Sequence, residues 1–165
     1  TESRVVRQAA RKSCRLNGEA PVAEPREVVK RLFDAWNVRD LGAVMECVGD
    51  DVVQNLPGGF HSAGRAAYRG TAEMFLTAYP DFNATILATY VDGDTVVTEY
   101  RESATQSGEL RLATGEIKQP SGRPYSVECV AIHKVRDGVI TSETHYFDRH
   151  AFLQQLGLVP EPTSA

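Results

Sequence analysis

The hydrophobic pattern of this chain changes from a helical to a strand period about halfway along, and this change restricts the folds available to it. Apolar residues in the segment 25–79 recur three and four positions apart, which is the spacing of helices with one buried face. In the segment 83–147 apolar and polar residues alternate instead, and tight turns at 92–94 and 136–138 divide this segment into strands. Helices followed by an antiparallel meander predict an α+β fold.

Local signals set the expected bounds of these elements. Pro25 is suited to the first turn of the first helix, Asp40 to the cap of the second, and Pro80 ends the third, which begins near Arg65. A brief strand is expected to begin at Val52 and Val53 and to stop at Pro57-Gly58-Gly59. Four long strands are predicted after the third helix, at 83–91, 95–105, 126–135 and 139–147. The segment 107–123, between the second and third of them, is predicted to be a loop or short flap.

Composition bounds the organisation and the class of the protein. A chain of 165 residues fits one domain, and we expect a basic N-terminal arm (1–24), a folded domain (25–158) and a C-terminal tail (159–165). The net charge of −4 argues against binding to nucleic acid or to an anionic membrane, and no apolar run is long enough to span a bilayer. Three widely spaced cysteines, at positions 14, 47 and 129, predict neither disulfides nor a zinc site, so a cytoplasmic location is expected.

Several local segments resemble one family in the order in which they occur. They are AYPDF at 78–82, DGDTVV at 92–97, QPSGR at 119–123, KVRDGVI at 134–140, FD at 147–148 and LQQLG at 153–157. Together they resemble the SnoaL-like polyketide cyclases and tailoring enzymes of the nuclear transport factor two-like superfamily. The resemblance implies a cone-shaped α+β barrel in which helices and a curved, mainly antiparallel sheet enclose a pocket. A narrower similarity, QNLP at 54–57 and EYRE at 99–102, is to limonene-epoxide-hydrolase-like proteins.

His145 is the first candidate catalytic residue. The SnoaL-like cyclases have a catalytic aspartate at this hairpin position and its histidine partner at the position of Ala131, so the resemblance implies a site rebuilt around an imidazole. With an ordinary pKa of about 6.5, an imidazole can donate or accept a proton near neutral pH. Strand alternation places Glu143, His145 and Phe147 on one face.

Three further residues are candidates for supporting roles in catalysis. If Tyr100 and Glu102 share the interior with His145, then Glu102 orients the imidazole or acts as a base, and Tyr100 holds a substrate oxygen. Asn55 is expected to position a water or a carbonyl from the short strand.

Apolar and aromatic residues are expected to form the substrate-binding wall of the pocket. The candidate substrate-binding residues are Phe33, Trp36, Phe75, Tyr79, Ala131, His133 and Phe147. His133 could lie toward the pocket mouth, but a structural or interface role is the favoured alternative for it, and His61 and His150 are expected on the surface. The scattered histidines show no two-histidine, one-carboxylate spacing typical of a metal site, and no phosphate-binding glycine motif supports a nucleotide or flavin, so neither metal nor cofactor is predicted.

The leading functional hypothesis is a cofactor-independent acid/base enzyme that cyclises a polycyclic or polyketide-like small molecule. Epoxide opening and polyketide hydroxylation are the alternative reactions, and hydroxylation would require a reductase partner or a reduced substrate. A non-catalytic ligand-binding module is the alternative without chemistry. A homodimer is also expected, because the second face of an antiparallel sheet has to be covered or wetted.

Overall fold

The computed structural model describes residues 23–111 and 115–159, and these form four helices, a six-stranded sheet and a small hairpin. The predicted basic arm, except for residues 23–24, and the tail beyond residue 159 lie outside the described residues. Within the described residues, no helix combines the length and apolar character required to cross a membrane. The helices are α1 (Pro25–Asn37), α2 (Leu41–Glu46), α3 (Arg65–Ala78) and α4 (Arg149–Gln155). The strands are β1 (Val48–Leu56), β2 (Phe60–Ala63), β3 (Asn83–Asp92), β4 (Thr95–Thr105), β5 (Leu110–Arg111), β6 (Ile117–Lys118), β7 (Pro124–Arg136) and β8 (Val139–Phe147).

The main sheet has the strand order β2-β1-β8-β7-β4-β3. Its neighbours are antiparallel except for β1 and β8, which run parallel. The α+β prediction is therefore confirmed, with helices packed on one face of a curved, mainly antiparallel sheet. The β7–β8 hairpin pairs Ala131 with His145, which is the register expected from the sequence.

The helical layer covers the inner face of the sheet because each helix has one apolar face. In α1 the residues Val28, Val29, Leu32 and Phe33 are buried, and the helix contacts β3, β4, β7 and β8. Asn37 fixes the end of α1 to β3, since its side chain donates to the Ala84 carbonyl (2.8 Å) and accepts from the Ala84 amide (2.7 Å).

Two sequence expectations need correction in the first half of the chain. The brief strand expected at Val52 and Val53 is a nine-residue strand, and a second strand, β2, follows it directly. The reason is that Gly58 and Gly59 both adopt positive φ and form a hairpin turn, so the break predicted there instead reverses the chain and pairs Leu56 with Phe60. Asp40 caps α2 as expected by accepting from the Ala43 amide (2.9 Å).

The edge strand β3 carries exposed apolar side chains, among them Leu87, Tyr90 and Val91, and Tyr90 lies on the outer face of the sheet opposite Val97. Dimerisation through this face stays a prediction.

The segment expected as a loop or flap contains the short strands β5 and β6, and Gly108 holds it against α3. The amides of Ser107 and Gly108 both donate to the Ala78 carbonyl (3.1 Å each). A Cβ at position 108 would lie 1.9 Å from the Thr77 carbonyl oxygen, so no other residue fits without backbone movement. Leu110 and Arg111, two and three residues after Gly108, line the cavity described below.

Gly108→Ala is therefore expected to lower the free energy of unfolding by about 2 kcal/mol or more, because overpacking against backbone atoms cannot be relieved by side-chain rotation. Chemical denaturation measures the change. The matched control is Gly70→Ala in α3, where a Cβ would meet no atom within 4 Å. There we expect unchanged or slightly higher stability, by up to about 1 kcal/mol, because alanine favours helix more than glycine does. Equal effects of the two substitutions would contradict the assigned close approach.

Candidate active site

A cavity of about 400 Å³ lies between the helices and the inner face of the sheet. Its helical side is largely apolar, with aromatic rings in edge-to-face contact, such as Trp36 with Phe75 (5.9 Å between centroids). The main aromatic lining residues are Phe33, Trp36, Phe75, Tyr79, Phe82, Phe147 and Phe152. The polar lining comes mainly from the sheet, with side chains of Gln54, Tyr100, Glu102, His133, Glu143 and His145. A mostly apolar chamber with a few convergent polar groups is the usual form of a small-molecule site.

Glu143 on β8 is the centre of the polar cluster and is 2% exposed. Its Oε1 accepts from Gln54 Nε2 (2.6 Å) and lies 3.2 Å from His145 Nε2. Its Oε2 accepts from the Tyr68 hydroxyl (3.2 Å) and lies 3.7 Å from His133 Nε2. Burial alone would raise the pKa of this carboxyl, but the adjacent His145, with smaller effects of His133 and Gln54, lowers it to about 2. Glu143 is therefore an anion at neutral pH.

His145 lies between Glu143 and Tyr100. Burial would lower the pKa of this imidazole, but the neighbouring Glu143, and to a lesser extent Glu102, raise it overall. The Nε2–H is poorly aligned with Glu143 Oε1, so that contact is an ion pair rather than a linear hydrogen bond. Nδ1 lies 2.8 Å from the Tyr100 hydroxyl oxygen. An imidazolium has no free lone pair, so in its charged form it donates to Tyr100 at this contact.

Tyr100 is 3% exposed, and its ring packs edge-on against Phe33 (5.0 Å between centroids). Burial, followed by the nearby Glu102, raises the pKa of this phenol far above its usual range, so Tyr100 remains a neutral hydroxyl. When its oxygen accepts from His145, its own proton is free for a ligand in the cavity or for the thiol of its strand neighbour Cys129. Tyr100 can thus donate a hydrogen bond that the adjacent imidazolium strengthens.

Glu102 lies two residues further along β4, on the same face as Tyr100, and is 8% exposed. Burial raises the pKa of this carboxyl to about 7, against the smaller opposing effects of His145 and of the nearby Tyr125 hydroxyl. A carboxyl group with a pKa near neutrality exchanges a proton readily and suits general acid/base chemistry. Glu102 and Glu143 therefore have pKa values displaced in opposite directions.

The structure brings together most of the residues expected from the sequence, but Asn55 and Ala131 do not line the cavity. Tyr100, Glu102 and His145 share the interior as expected from strand alternation. Asn55 does not line the cavity, because Gln54 takes the inward position on β1 and the next side chain points the opposite way. Asn55 instead donates to Thr144 Oγ1 (3.3 Å) and contacts His61 Nδ1 (2.9 Å).

Among the expected substrate-binding residues, Ala131 does not line the cavity. Ala131 faces inward and is fully buried, but its small side chain does not reach the cavity lining. His133 lines the cavity and is wholly buried beside Glu143. Phe33, Trp36, Phe75, Tyr79 and Phe147 all line the cavity as expected.

Sequence reasoning missed Gln54, Tyr68 and Glu143 as members of the site. Glu143 shares a strand face with His145, and this alternation could have identified it. Tyr68 lies on α3, and only its packing against the sheet shows that it reaches Glu143. Two of the scattered histidines also meet at a carboxylate, because one ligand atom each from His133, Glu143 and His145 lies within 4.8 Å of the others.

This architecture, a helical layer folded over a curved sheet with a cavity between them that carries polar groups at one end, defines a nuclear transport factor two-like α+β barrel. The profile of the SnoaL-like domain family matches residues 29–143. The chain therefore belongs to the SnoaL-like domain family.

Solved structures with this fold support the assignment. IdmH, a candidate polyketide cyclase from Streptomyces antibioticus, is 27% identical, with a TM-score of 0.67 over 82% of this chain and 99% of that one. AclR, a candidate hydroxylase from Streptomyces galilaeus, is 24% identical, with a TM-score of 0.70 over 85% of each chain. A candidate SnoaL-like polyketide cyclase from Jannaschia sp. CCS1 is 21% identical, with a TM-score of 0.73 over 87% of this chain and 99% of that one. No curated protein sequence gives a significant match.

The raised pKa of Glu102 predicts how stability depends on pH. Between the ordinary pKa of 4.5 and about 7, the folded protein retains a proton on Glu102 that the unfolded chain releases. The free energy of unfolding therefore falls as the pH rises through this window, by about 3–4 kcal/mol in total, since one pKa unit corresponds to about 1.4 kcal/mol. Glu102→Gln, which is neutral at every pH, is expected to remove this loss. The variant should match the wild type near pH 5 and exceed its stability at pH 8.

Denaturant titrations at pH 5, 6.5 and 8 measure this difference. Glu99→Gln is the matched control, because Glu99 is an exposed residue of the same strand and should leave the pH dependence unchanged. If Glu102→Gln retained the slope of the wild type between pH 5 and 8, a neutral buried Glu102 would be ruled out.

Proposed function

We propose that the protein is an acid/base enzyme that forms an enolate in a polyketide-like substrate and closes a ring by intramolecular carbon–carbon bond formation. The observation that carries this proposal is the position of Glu102 and Tyr100 on one inward face of β4, with His145 and Glu143 behind Tyr100. Same-face neighbours in a strand are roughly 6–7 Å apart along the chain, so one substrate can engage both groups.

In the proposed reaction the Glu102 carboxylate removes a proton from a carbon next to a carbonyl group. The electron pair of that C–H bond moves onto the carbonyl oxygen, which accepts a hydrogen bond from the Tyr100 hydroxyl. The enolate carbon then attacks a second carbonyl of the same molecule, and Glu102 returns its proton to the new alkoxide. The product is an isomer of the substrate, so no oxidant, reductant or water is consumed.

The ionisation states of the cluster suit these roles. Glu102, with a pKa of about 7, has an appreciable carboxylate fraction at neutral pH and becomes a competent acid after it takes the proton. Tyr100 stays protonated and donates, while the His145–Glu143 ion pair offsets charge that develops on the substrate oxygen. In this proposal His145 acts through Tyr100, and the base assigned to His145 from the sequence becomes Glu102.

The apolar helical wall supports a hydrophobic, ring-containing substrate. The rings of Phe33, Trp36 and Phe75 offer flat apolar surface, whereas cationic side chains, which would favour a strongly anionic ligand, are few in the lining. The 27% identity to IdmH, a candidate polyketide cyclase, agrees with this substrate class.

Glu102→Gln is expected to reduce enolisation by about 10²–10⁴-fold, the usual contribution of a general base. The measurement is deuterium incorporation from D₂O at the carbon between the carbonyls of aromatic β-keto esters, followed by NMR. Glu99→Gln on the same strand should exchange at the wild-type rate. Wild-type exchange in Glu102→Gln would overturn the assignment of the base.

Tyr100→Phe is expected to lower kcat for ring closure by about 10²–10³-fold with little change in KM, because the hydrogen bond strengthens as charge develops on the oxygen. The control is Tyr146→Phe, since Tyr146 precedes Phe147 on β8 and faces outward with 57% exposure. A change in KM alone would mean that Tyr100 binds the substrate without stabilising the enolate.

Oxygen labelling of the product separates ring closure from the alternative reactions. Ring closure by this route incorporates oxygen neither from H₂¹⁸O nor from ¹⁸O₂. Label from water would replace the proposal with hydrolytic epoxide opening, and label from dioxygen would replace it with hydroxylation.

A further inference from the structure

The carboxylate end of the cavity contains more ligand-bearing groups than the proposed proton chemistry uses. His133 on β7 takes no part in that chemistry, yet it is completely buried and lines the cavity next to Glu143. Among the residues that the structure describes, neither ring nitrogen of His133 has a hydrogen-bond partner. An unpaired buried polar group costs roughly 1–3 kcal/mol, so its retention requires a reason.

We propose that His133, Glu143 and His145 form a binding site for a divalent first-row transition-metal ion. Ligand atoms from these three residues lie within 4.8 Å of one another, and the Nε2 atoms of His133 and His145 lie 3.7 and 3.2 Å from the two Glu143 oxygens. Ligands of one ion lie roughly 3 Å apart because each is about 2.1 Å from the metal, so modest side-chain rotation completes the set.

The donor types match this class of ion. Two imidazoles and one carboxylate bind Zn²⁺ in catalytic sites and Fe²⁺ in sites with open coordination positions. A metal ion would use the free lone pair of His133 and take the place of the proton between His145 Nε2 and Glu143 Oε1. All three residues line the cavity, so a bound ion would be accessible to a substrate there.

Outer hydrogen bonds already hold two of the ligands in place. Gln54 Nε2 donates to Glu143 Oε1 (2.6 Å), and the Tyr68 hydroxyl donates to Glu143 Oε2 (3.2 Å). The Tyr100 hydroxyl contacts His145 Nδ1 (2.8 Å), which directs Nε2 towards the proposed ion. Such partners orient metal ligands and increase affinity in known metal sites.

The site overlaps the polar cluster used in the proposed function but does not depend on the reaction proposed there. With a metal ion on Nε2, the Nδ1–H of His145 still donates to Tyr100, so the Tyr100 hydroxyl proton remains available to a ligand. The ion would add a Lewis acid beside the same carbonyl oxygen.

The test is direct metal binding to full-length, untagged protein after treatment with a chelator. Co²⁺ is titrated while its visible absorption is recorded, and calorimetry with Zn²⁺ gives the stoichiometry. We expect one equivalent of either ion, Zn²⁺ displacing Co²⁺, and a rise in Tm with metal concentration. His133→Gln and Glu143→Gln should each weaken binding at least tenfold.

The double variant His61→Gln/His150→Gln is the matched control, because both histidines are exposed and neither belongs to the cluster of His133, Glu143 and His145. It should bind one equivalent with wild-type affinity. If Glu143→Gln does not fold, as judged by circular dichroism, His133→Gln and the wild-type titration still decide the result. Failure of the wild type to bind one equivalent, or undiminished binding by folded His133→Gln, would overturn the proposal.

The two proposals can fail separately. Glu102→Gln should bind the metal ion as the wild type does, whatever its effect on enolisation. Deuterium exchange that depends on Glu102 in a protein that binds no metal would overturn the metal site alone, and the reverse result would overturn the proposed base alone.

Discussion

The buried anion of Glu143 is the interaction on which the rest of the site depends. A carboxylate that is 2% exposed would be expelled or neutralised unless partners replaced its water shell. Those partners come from four different elements: Gln54 from β1, Tyr68 from α3, His133 from β7 and His145 from β8 itself. The same contacts therefore neutralise the charge and fix α3 and the parallel β1–β8 pair around the cavity.

Sequence periodicity predicted the helices and long strands because each of them has one apolar face. The register of the β7–β8 hairpin includes a shift between Lys134 and Val135 that its tight turn does not specify, but the helix from Arg65 to Ala78 follows from local signals alone. The parallel pairing of β1 with β8 does not, since it joins segments almost 90 residues apart and no local turn specifies it. Strand β2 was missed because Gly58 and Gly59 indicate a turn without indicating whether the chain stops or folds back to pair.

The candidate site was predictable only as far as strand alternation reaches. Tyr100 and Glu102 are two residues apart on β4, and His145 faces them from β8, so one rule places all three inside. The same rule works only when one inward-facing residue of the strand is already known. On β1 the inward residue, Gln54 or Asn55, could not be chosen without knowing how the strand pairs in the sheet. Tyr68 belongs to the cluster through tertiary packing, and no spacing in the sequence connects it to Glu143, whereas His133 is the cross-strand partner of Glu143 in the β7–β8 hairpin.

The two buried carboxyl groups have opposite properties, and this difference separates their roles. Glu143, surrounded by donors and two imidazoles, has a pKa of about 2 and holds a permanent charge. Burial raises the pKa of Glu102, and its neighbours offset this rise only in part, so the pKa is about 7 and Glu102 can change its charge during a reaction. A pair of carboxyls displaced in this way is the usual basis for assigning one fixed and one proton-transferring group. The permanent anion of Glu143, which lines the cavity beside His145, can therefore polarise a donor or hold a cation, while proton exchange with substrate falls to Glu102.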